Sequence, residues 1–142
     1  MSKAPHILIV ESPYYDDVAN FLADGAIATL ENAGATYERL QVPGALEIPA
    51  AIKFSSKKKK YDGYVALGCV IRGETSHYDV VAIESARALM DLSINYDLAV
   101  GNGILTCDNR EQAIVRADPA QKNKGHDAVG AVLSLIEIKA GK

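Results

Sequence analysis

The chain has 142 residues, 49% of them hydrophobic, which is typical of one domain with its own core. Its 15 basic and 18 acidic residues leave a net charge of -3, so the overall charge gives no reason to expect nucleic acid or an anionic membrane as a partner. No apolar run approaches the ~20 residues that are needed to cross a bilayer.

Strands and helices are predicted to alternate along the chain. The apolar, β-branched run His6–Glu11 is typical of a buried strand. A helix capped by Asp16 or Asp17 then extends to about Ala33, and Gly34 ends it. The later elements are predicted as strands at Thr36–Val42, Tyr64–Ile71 and Leu98–Thr106, and as helices from about Leu46 into the lysine run Lys57–Lys60, over Ser76–Leu92, over Asn109–Ala117 and over Gly125–Ala140.

This order, βαβαβαβ followed by two helices, predicts parallel strands joined by right-handed crossovers. Because the strands are mostly apolar rather than alternating, helices should cover both faces of the sheet. We therefore predict a single α/β domain over residues 1–142, a three-layer α/β/α fold of flavodoxin-like kind with a four-stranded parallel sheet. Ligands of such folds bind at the carboxyl ends of the strands, which selects the loops Glu11–Tyr15, Pro43–Glu47, Arg72–His77 and Gly101–Asn109.

The last predicted helix is apolar nearly all round, with few polar positions between Ala128 and Ile138. A terminal helix of a small domain normally keeps one polar face. We interpret the pattern as a sign of contacts between subunits. The alternative is a helix packed deeply within one chain.

The segment Arg72–His77 follows a buried strand and opens a helix, where free N–H groups and the helix dipole favour an anion. Thr75 adds a hydroxyl donor, and His77 can transfer a proton near neutral pH. Together these groups suit a reaction that expels phosphate. The alternative is structural: Thr75 or Ser76 caps the helix, and His77 is a surface residue.

Other loop residues fit a ligand site with less specificity. Glu47, in the segment PGALEIP, can accept hydrogen bonds from ligand hydroxyls, or its charge can simply suit the start of a helix. Tyr14 can stack on a planar ring or fill a loop. Arg116 and Lys124 can neutralise a phosphate or remain solvated charges. The lysine run is interpreted as a solvated helix end.

Cys69 and Cys107 are too few for a disulfide framework, and they end the third and fourth strands, where they can lie close together. No spacing of a base and a nucleophile supports a thiol mechanism. The three histidines lack the spacing of metal ligands, so no metal is predicted. The N-terminal MSKAPHILIV does not look like a signal peptide, and a reducing, cytoplasmic location is predicted.

Four motifs occur in order along nearly the whole chain: PGALEIP at Pro43–Pro49, GCVIRGETSHYD at Gly68–Asp79, GNGILT at Gly101–Thr106, and EQAIVRA with a following NKG at Glu111–Ala117 and Asn123–Gly125. Together they resemble the 6,7-dimethyl-8-ribityllumazine synthase family.

The resemblance implies the penultimate step of riboflavin biosynthesis. In that step 5-amino-6-(D-ribitylamino)uracil condenses with 3,4-dihydroxy-2-butanone 4-phosphate to give 6,7-dimethyl-8-ribityllumazine, phosphate and water. The resemblance also implies that no cofactor or metal takes part, that the protein is a homopentamer with sites between subunits, and that riboflavin synthase is a functional partner.

Roles for individual residues follow from the same resemblance. Tyr14 resembles the aromatic residue that stacks on the pyrimidine, and Glu47 resembles the one that binds hydroxyls of the ribityl chain. The rest of the segment that holds ring and chain, and the strand end whose backbone binds the pyrimidine edge, correspond to Ala45, Leu46, Cys69, Val70 and Ile71.

Glu74 and Thr75 resemble the turn that binds phosphate, and His77 resembles the residue that transfers protons. Three residues resemble groups that reach the site from the adjacent subunit. They are Asn102 in a wall of the substrate pocket, Arg116 as the phosphate-binding arginine, and Lys124 as a supporting cation.

The chain departs from the family pattern at several positions. Pro13 stands where many members carry arginine, Leu46 where many carry phenylalanine, and Asn102 where many carry an aromatic residue. The pocket for the pyrimidine ring is therefore expected to provide less aromatic stacking and more hydrogen bonds to the ligand. The stretch Asp118–Gln121 replaces a glycine-containing turn of capsid-forming relatives, and five residues precede the first strand, so we expect a free pentamer rather than an icosahedral shell.

Other functions are possible on the same scaffold. A non-catalytic flavin or lumazine carrier should lack the equivalents of His77 or Arg116, and both are present. A shell or scaffold protein, in which assembly matters more than turnover, is a further alternative. A phosphoacceptor receiver domain needs an aspartate at the end of the third strand, where Cys69–Ile71 stands instead.

Overall fold

The structure of the chain, a computed structural model, describes residues 4–142. Within them, four parallel strands form one sheet in the order β2-β1-β3-β4. The strands are β1 at His6–Glu11, β2 at Thr36–Gln41, β3 at Gly63–Ile71 and β4 at Val100–Cys107. The helices are α1 at Asp16–Asn32, α2 at Ile48–Ser56, α3 at His77–Tyr96, α4 at Arg110–Ala117 and α5 at Lys124–Lys139, with a 3-10 turn at Ala45–Glu47 before α2. The predicted three-layer, flavodoxin-like α/β fold is confirmed.

The two central strands supply the core on both faces of the sheet. Alternate side chains of an apolar strand point to opposite faces, so β1 and β3 contribute to two clusters. Ile7, Ile9 and Val65 lie in the cluster under α1 and α5. Leu8 and Val10 lie in the cluster on the side of α2 and α3. The loops after β1 and β3 extend from the carboxyl ends of these two buried strands.

Several element boundaries differ from the predictions. The N-cap of α1 is Tyr15, and its side chain makes no capping hydrogen bond, while Asp16 and Asp17 lie in the first turn, where their charge suits the dipole. The helix α2 ends at Ser56, before the lysine run, and α3 continues to Tyr96. Gly34 follows α1 with φ +75°, as expected of a glycine that ends a helix.

Edge strand β2 is largely exposed, so the prediction that helices cover both faces of the sheet is wrong for this strand. Its sequence TYERLQ is mostly polar, which suits an edge better than a core. Side-chain hydrogen bonds to β1 help to hold this strand in place. Arg39 donates two hydrogen bonds of 2.7 Å to the carboxylate of Glu11, which is 3% exposed at the end of β1. The bidentate contact compensates the buried charge.

A second polar cluster joins β1 and β2 at the amino ends of the strands. The carboxylate of Glu38 accepts hydrogen bonds from His6 Nε2 at 2.7 Å and from the hydroxyl of Tyr61 at 3.1 Å. Lys60 Nζ lies 3.0 Å from the same carboxylate. These contacts lie at the opposite end of the sheet from the predicted ligand loops.

We expect Glu38→Gln to lower the free energy of unfolding at neutral pH and to have almost no effect near pH 2. The pKa of Glu38 is lowered from 4.5 to about 2, first by the hydrogen bond from His6 and then by that from Lys60. A carboxyl group with a depressed pKa contributes stability above its unfolded-state pKa and loses it as the pH falls through the folded value. Urea unfolding of both forms across this range measures the effect. A difference that does not change with pH would contradict it.

Helix α5 is only partly covered by its own chain. It buries Ala128, Val129 and Val132 against β3 and β4, whereas Leu135 and Ile138 are 36% and 66% exposed. The alternative of a helix packed deeply within one chain therefore does not describe this face. Among residues 4–142, no helix combines the length and apolar character required to span a bilayer.

Candidate active site

A cavity of about 480 Å³ lies at the carboxyl ends of β1 and β3, at the place predicted for this fold. It is bounded by the loops that follow β1, β2 and β3 and by the start of α3, and we call it the main cavity. Nine predicted site residues line it: Tyr14, Ala45, Leu46, Glu47, Cys69, Val70, Ile71, Thr75 and His77.

Aromatic rings border the main cavity on the side of β1. Tyr14 is 73% exposed, and its ring meets that of Tyr15 edge to face with the centroids 4.9 Å apart. Such a ring presents an open face on which a planar ligand can stack. Burial raises the pKa of Tyr15, and the neighbouring Cys69 adds to this effect, so the phenol is protonated at neutral pH.

The loop after β2 supplies a carboxylate and little bulk. Gly44 precedes the 3-10 turn, and a Cβ atom built on it would lie 3.2 Å from Glu47 Oε1. A glycine at this position leaves room for the Glu47 carboxylate beside the backbone. Ala45 is buried, whereas Leu46 and Glu47 are exposed, so the carboxylate is free to accept hydrogen bonds from a ligand.

The turn between β3 and α3 forms the opposite rim, and all of its residues from Arg72 to His77 are exposed. Ser76 is the N-cap residue of α3 without a side-chain bond, and Thr75 Oγ1 accepts the His77 N–H at 3.3 Å. Thr75 precedes the N-cap residue, so its bond to His77 stabilises the turn without making it the cap, and Thr75 also lines the main cavity. His77 is the first residue of α3 and also lines the cavity, although Glu74 does not.

The two cysteines lie on the adjacent strands β3 and β4, two positions apart in the register, since Cys69 pairs with Leu105 and Ile71 with Cys107. This agrees with their predicted proximity. Burial is the main cause that raises the pKa of Cys69 to about 12, and Cys107 adds to it. A thiol of such high pKa is a poor nucleophile at neutral pH. Cys69 therefore suits a wall of the cavity rather than a covalent step.

Three further lining residues, which were given no individual site role from the sequence, lie in segments that it did select: Ser12 and Tyr15 in the loop Glu11–Tyr15, and Tyr78 in the motif GCVIRGETSHYD. Ser12 is buried and donates a long hydrogen bond of 3.4 Å to the Pro43 carbonyl. Tyr15 adjoins Tyr14 in the same loop, and Tyr78 packs against Val70 and Val81. Because a loop has no fixed alternation of side chains, the sequence predicted that the loop Glu11–Tyr15 lies at the site but not which of its side chains face the cavity.

A second cavity, of about 330 Å³, lies along the free edge of β4 and beside the start of α5. We call it the β4 cavity. It brings together Asn102, Arg116 and Lys124, the three residues that the sequence associates with a neighbouring subunit. Among the described residues, no lining residue of the β4 cavity also lines the main cavity.

Polar contacts orient the side chains of the β4 cavity. Asn102 Oδ1 accepts the Ile104 N–H at 2.9 Å, and Arg116 Nη1 donates to the Gln112 carbonyl at 3.2 Å. Lys124 Nζ lies 3.3 Å from a carboxylate oxygen of Asp127, another lining residue that was not predicted.

Within residues 4–142, no group of three or more histidine, cysteine, aspartate or glutamate side chains is arranged to hold a metal ion. The arrangement as a whole offers an aromatic face, a strand end that lines the main cavity, a helix start next to a histidine, and a separate pair of cations. These groups can bind a planar ring, hold an anion and transfer a proton.

Residues 4–140 match the family model described as 6,7-dimethyl-8-ribityllumazine synthase. A protein of that name from Bartonella tribocorum is 55% identical over 140 residues, covering 98% of this chain and 93% of the relative. The one from Agrobacterium fabrum is 55% identical over 144 residues, with 98% and 97% covered. The protein named 6,7-dimethyl-8-ribityllumazine synthase 1 from Rhizobium meliloti is 56% identical over 142 residues, with 96% and 93% covered.

Proposed function

This chain belongs to the 6,7-dimethyl-8-ribityllumazine synthase family, and from that premise we propose that the main cavity and the β4 cavity are two halves of its active site. Its function is the condensation of 5-amino-6-(D-ribitylamino)uracil with 3,4-dihydroxy-2-butanone 4-phosphate to 6,7-dimethyl-8-ribityllumazine. This reaction is the penultimate step of riboflavin biosynthesis, and the chain is therefore a transferase enzyme.

The observation that carries the proposal is the separation of the charges. Among the described residues, the lining of the main cavity contains neither arginine nor lysine, although one substrate carries a phosphate. Arg116 and Lys124 lie together in the β4 cavity instead. A phosphate held by the Thr75 turn gains a charge-assisted partner if the β4 cavity of a neighbouring subunit faces the main cavity.

Exposed apolar surface supports an assembly of subunits. One face of α3 carries four exposed apolar side chains at helical spacing, and α5 adds two more; they are Val80, Ile83, Met90, Ile94, Leu135 and Ile138. Pairing the main cavity of one subunit with the β4 cavity of the next is a head-to-tail contact, which forms a ring when the rotation between neighbouring subunits closes. We propose a free homopentamer, with riboflavin synthase as the enzyme that uses its product. A cytoplasmic location agrees with the two free thiols.

In the proposed site the ring stacks on Tyr14, and the backbone from Cys69 to Ile71 binds the pyrimidine edge. Glu47 accepts hydrogen bonds from the ribityl hydroxyls. The start of α3 and Thr75, with Arg116 from the adjacent subunit, hold the phosphate.

The 5-amino group of the uracil then attacks the ketone and water leaves as the imine forms. Phosphate is eliminated, the ribitylamino nitrogen closes the ring on the second carbonyl carbon, and a second water is lost. His77 transfers protons in these steps. Both substrates are reactive, so holding them in contact supplies much of the acceleration.

A direct assay tests this function. Purified protein is mixed with both substrates, and the fluorescence of the lumazine product is followed against the uncatalysed reaction. We expect clear acceleration that saturates in both substrates. A rate equal to the uncatalysed background would overturn the proposed site. Light scattering of the same sample measures the assembly, and a species larger than a pentamer would contradict the proposed ring.

We expect His77→Ala to reduce kcat by roughly 10- to 100-fold and to leave measurable turnover. General acid–base groups contribute on this scale or above it. The rest of the acceleration comes from proximity, which this substitution does not remove. Steady-state kinetics on the folded variant gives the value. A variant that binds both substrates but has no activity at all would contradict the expectation.

A further inference from the structure

Arg72, the first residue after β3, joins three parts of the chain at the rim of the main cavity. Its Nε donates to Asp108 Oδ1 at 3.0 Å, in the loop after β4. Its Nη1 lies 3.6 Å from Asp79 Oδ1, in the first turn of α3. The guanidinium also lies over the ring of Tyr78, 4.3 Å from the centroid. We call this set of contacts the Arg72 bridge.

The turn next to this bridge has little else to hold it. Gly73–Ser76 is exposed, and the hydrogen bond from the His77 N–H to Thr75 is local to the turn. Within residues 4–142, the side-chain hydrogen bonds and ion pairs that tie the segment 72–77 to other elements all start from Arg72. An arginine suits this task because its planar guanidinium can bond at its edge and stack on a ring at the same time.

We propose that Arg72 is a positioning residue, which holds the phosphate-binding turn and His77 in place without contacting the substrate; this inference rests on the proposed function. Arg72 does not line the main cavity. Thr75, near the end of the turn, and His77, the first residue of α3, both line it. Tyr78 packs against Ala45 and Val70 in a small core. The bridge therefore connects the turn to the packed part of the protein on one side and to the loop after β4 on the other.

Asp108 distinguishes positioning from simple attraction of an anion. A carboxylate close to a phosphate site repels the phosphate, so its removal should strengthen binding if charge alone matters. Positioning predicts the opposite result, because Asp108→Asn weakens the bond that anchors Arg72. In Asp108→Asn, KM for the butanone phosphate should therefore rise if Arg72 positions the turn, and fall if charge alone matters.

The kinetic test uses Arg72→Met, Arg72→Lys and Asp108→Asn in the full chain, with Lys58→Met as a matched control at the other end of the sheet. We expect Arg72→Met to raise KM for the butanone phosphate about tenfold, and Asp108→Asn to raise it in the same direction, since small misplacements of a site are costly. KM for the uracil substrate should change less than twofold. Arg72→Lys should recover part of the loss because it keeps the charge without the planar group.

Hydrogen exchange gives a readout that does not depend on activity. Amide exchange in a peptide covering residues 72–80 should be faster in Arg72→Met than in the wild type, with the central strands unchanged. Faster exchange in a chain without synthase activity would reject the proposed function and retain the bridge. Three results would each overturn the positioning role of Arg72. They are unchanged exchange in Arg72→Met, equal changes of KM for both substrates, and a lower KM for the butanone phosphate in Asp108→Asn.

Discussion

Subunits carrying Tyr14→Ala with His77→Ala should regain activity when they are refolded together with Arg116→Ala subunits, although each variant alone is nearly inactive. The first variant damages the main cavity and leaves the β4 cavity intact, and the second does the reverse. We expect each to lower kcat/KM on the order of 10²-fold, since in the proposed site each removes groups that bind or react with the substrates.

Recovery follows from the geometry of a ring. If each site combines the main cavity of one subunit with the β4 cavity of the next, random mixing in equal amounts leaves about a quarter of the sites with both halves intact. The measurement is lumazine formation by the refolded mixture, compared with each variant alone and with wild-type protein at the same subunit concentration.

A matched mixture controls for effects of refolding. Arg116→Ala subunits are combined with chains that carry Tyr14→Ala, His77→Ala and Arg116→Ala together, so that no site has an intact β4 cavity. This mixture should show no recovery. If the first mixture also stays inactive while native mass spectrometry confirms that both variants are present in the same rings, the site lies within one chain and the proposed division is wrong.

We expect Gly101→Ala to reduce the free energy of unfolding by about 3 kcal/mol or more, because overpacking against backbone cannot be relieved by a side-chain rotation. A Cβ atom at Gly101, on β4, would lie 2.1 Å from the carbonyl oxygen of Ala128 on α5. The helix would have to move away from the sheet. Because Lys124 begins α5 and Asn102 follows Gly101 on β4, the β4 cavity would change shape with it.

Gly130→Ala is the control for this prediction. It lies on α5 itself, and a Cβ atom there would meet nothing within 4 Å. Alanine in a helix interior is more favourable than glycine by roughly 0.5–1 kcal/mol, so this variant should be more stable than the wild type. Urea unfolding of both variants gives the comparison. If Gly101→Ala and Gly130→Ala lose the same free energy of unfolding, close packing of α5 on β4 at Gly101 is not the cause of the loss.

Element order was predictable from the chain because it depends on local patterns. Apolar β-branched runs in β1 and β3 and glycines such as Gly34 mark strands and helix ends over a few residues. Boundaries were less predictable where polar residues can cap or continue a helix. Asp16 became the first helical residue of α1 rather than its cap, and α2 stopped before the lysine run.

Site residues were predictable to the extent that they follow strands or stand in motifs. Parallel strands place their carboxyl ends at one edge, so Tyr14, Glu47 and His77 meet there although they are far apart in the chain. Ser12 and Tyr15 lie in the predicted ligand loop Glu11–Tyr15 but were not predicted as individual site residues. Asp127 was not predicted, because neither a motif nor a spacing distinguishes it from an ordinary helix residue.

The sequence alone determined the fold class, the family and the residues available for chemistry, since these depend on local periodicity and on motifs that are read in order. The tertiary structure alone decided which of those residues share a cavity. Arg116 and Lys124 lie along the edge of β4, and the Thr75 turn lies over the end of β3. Distances between loops depend on how helices pack on the sheet, as Gly101 permits for α5, and no local pattern encodes those distances.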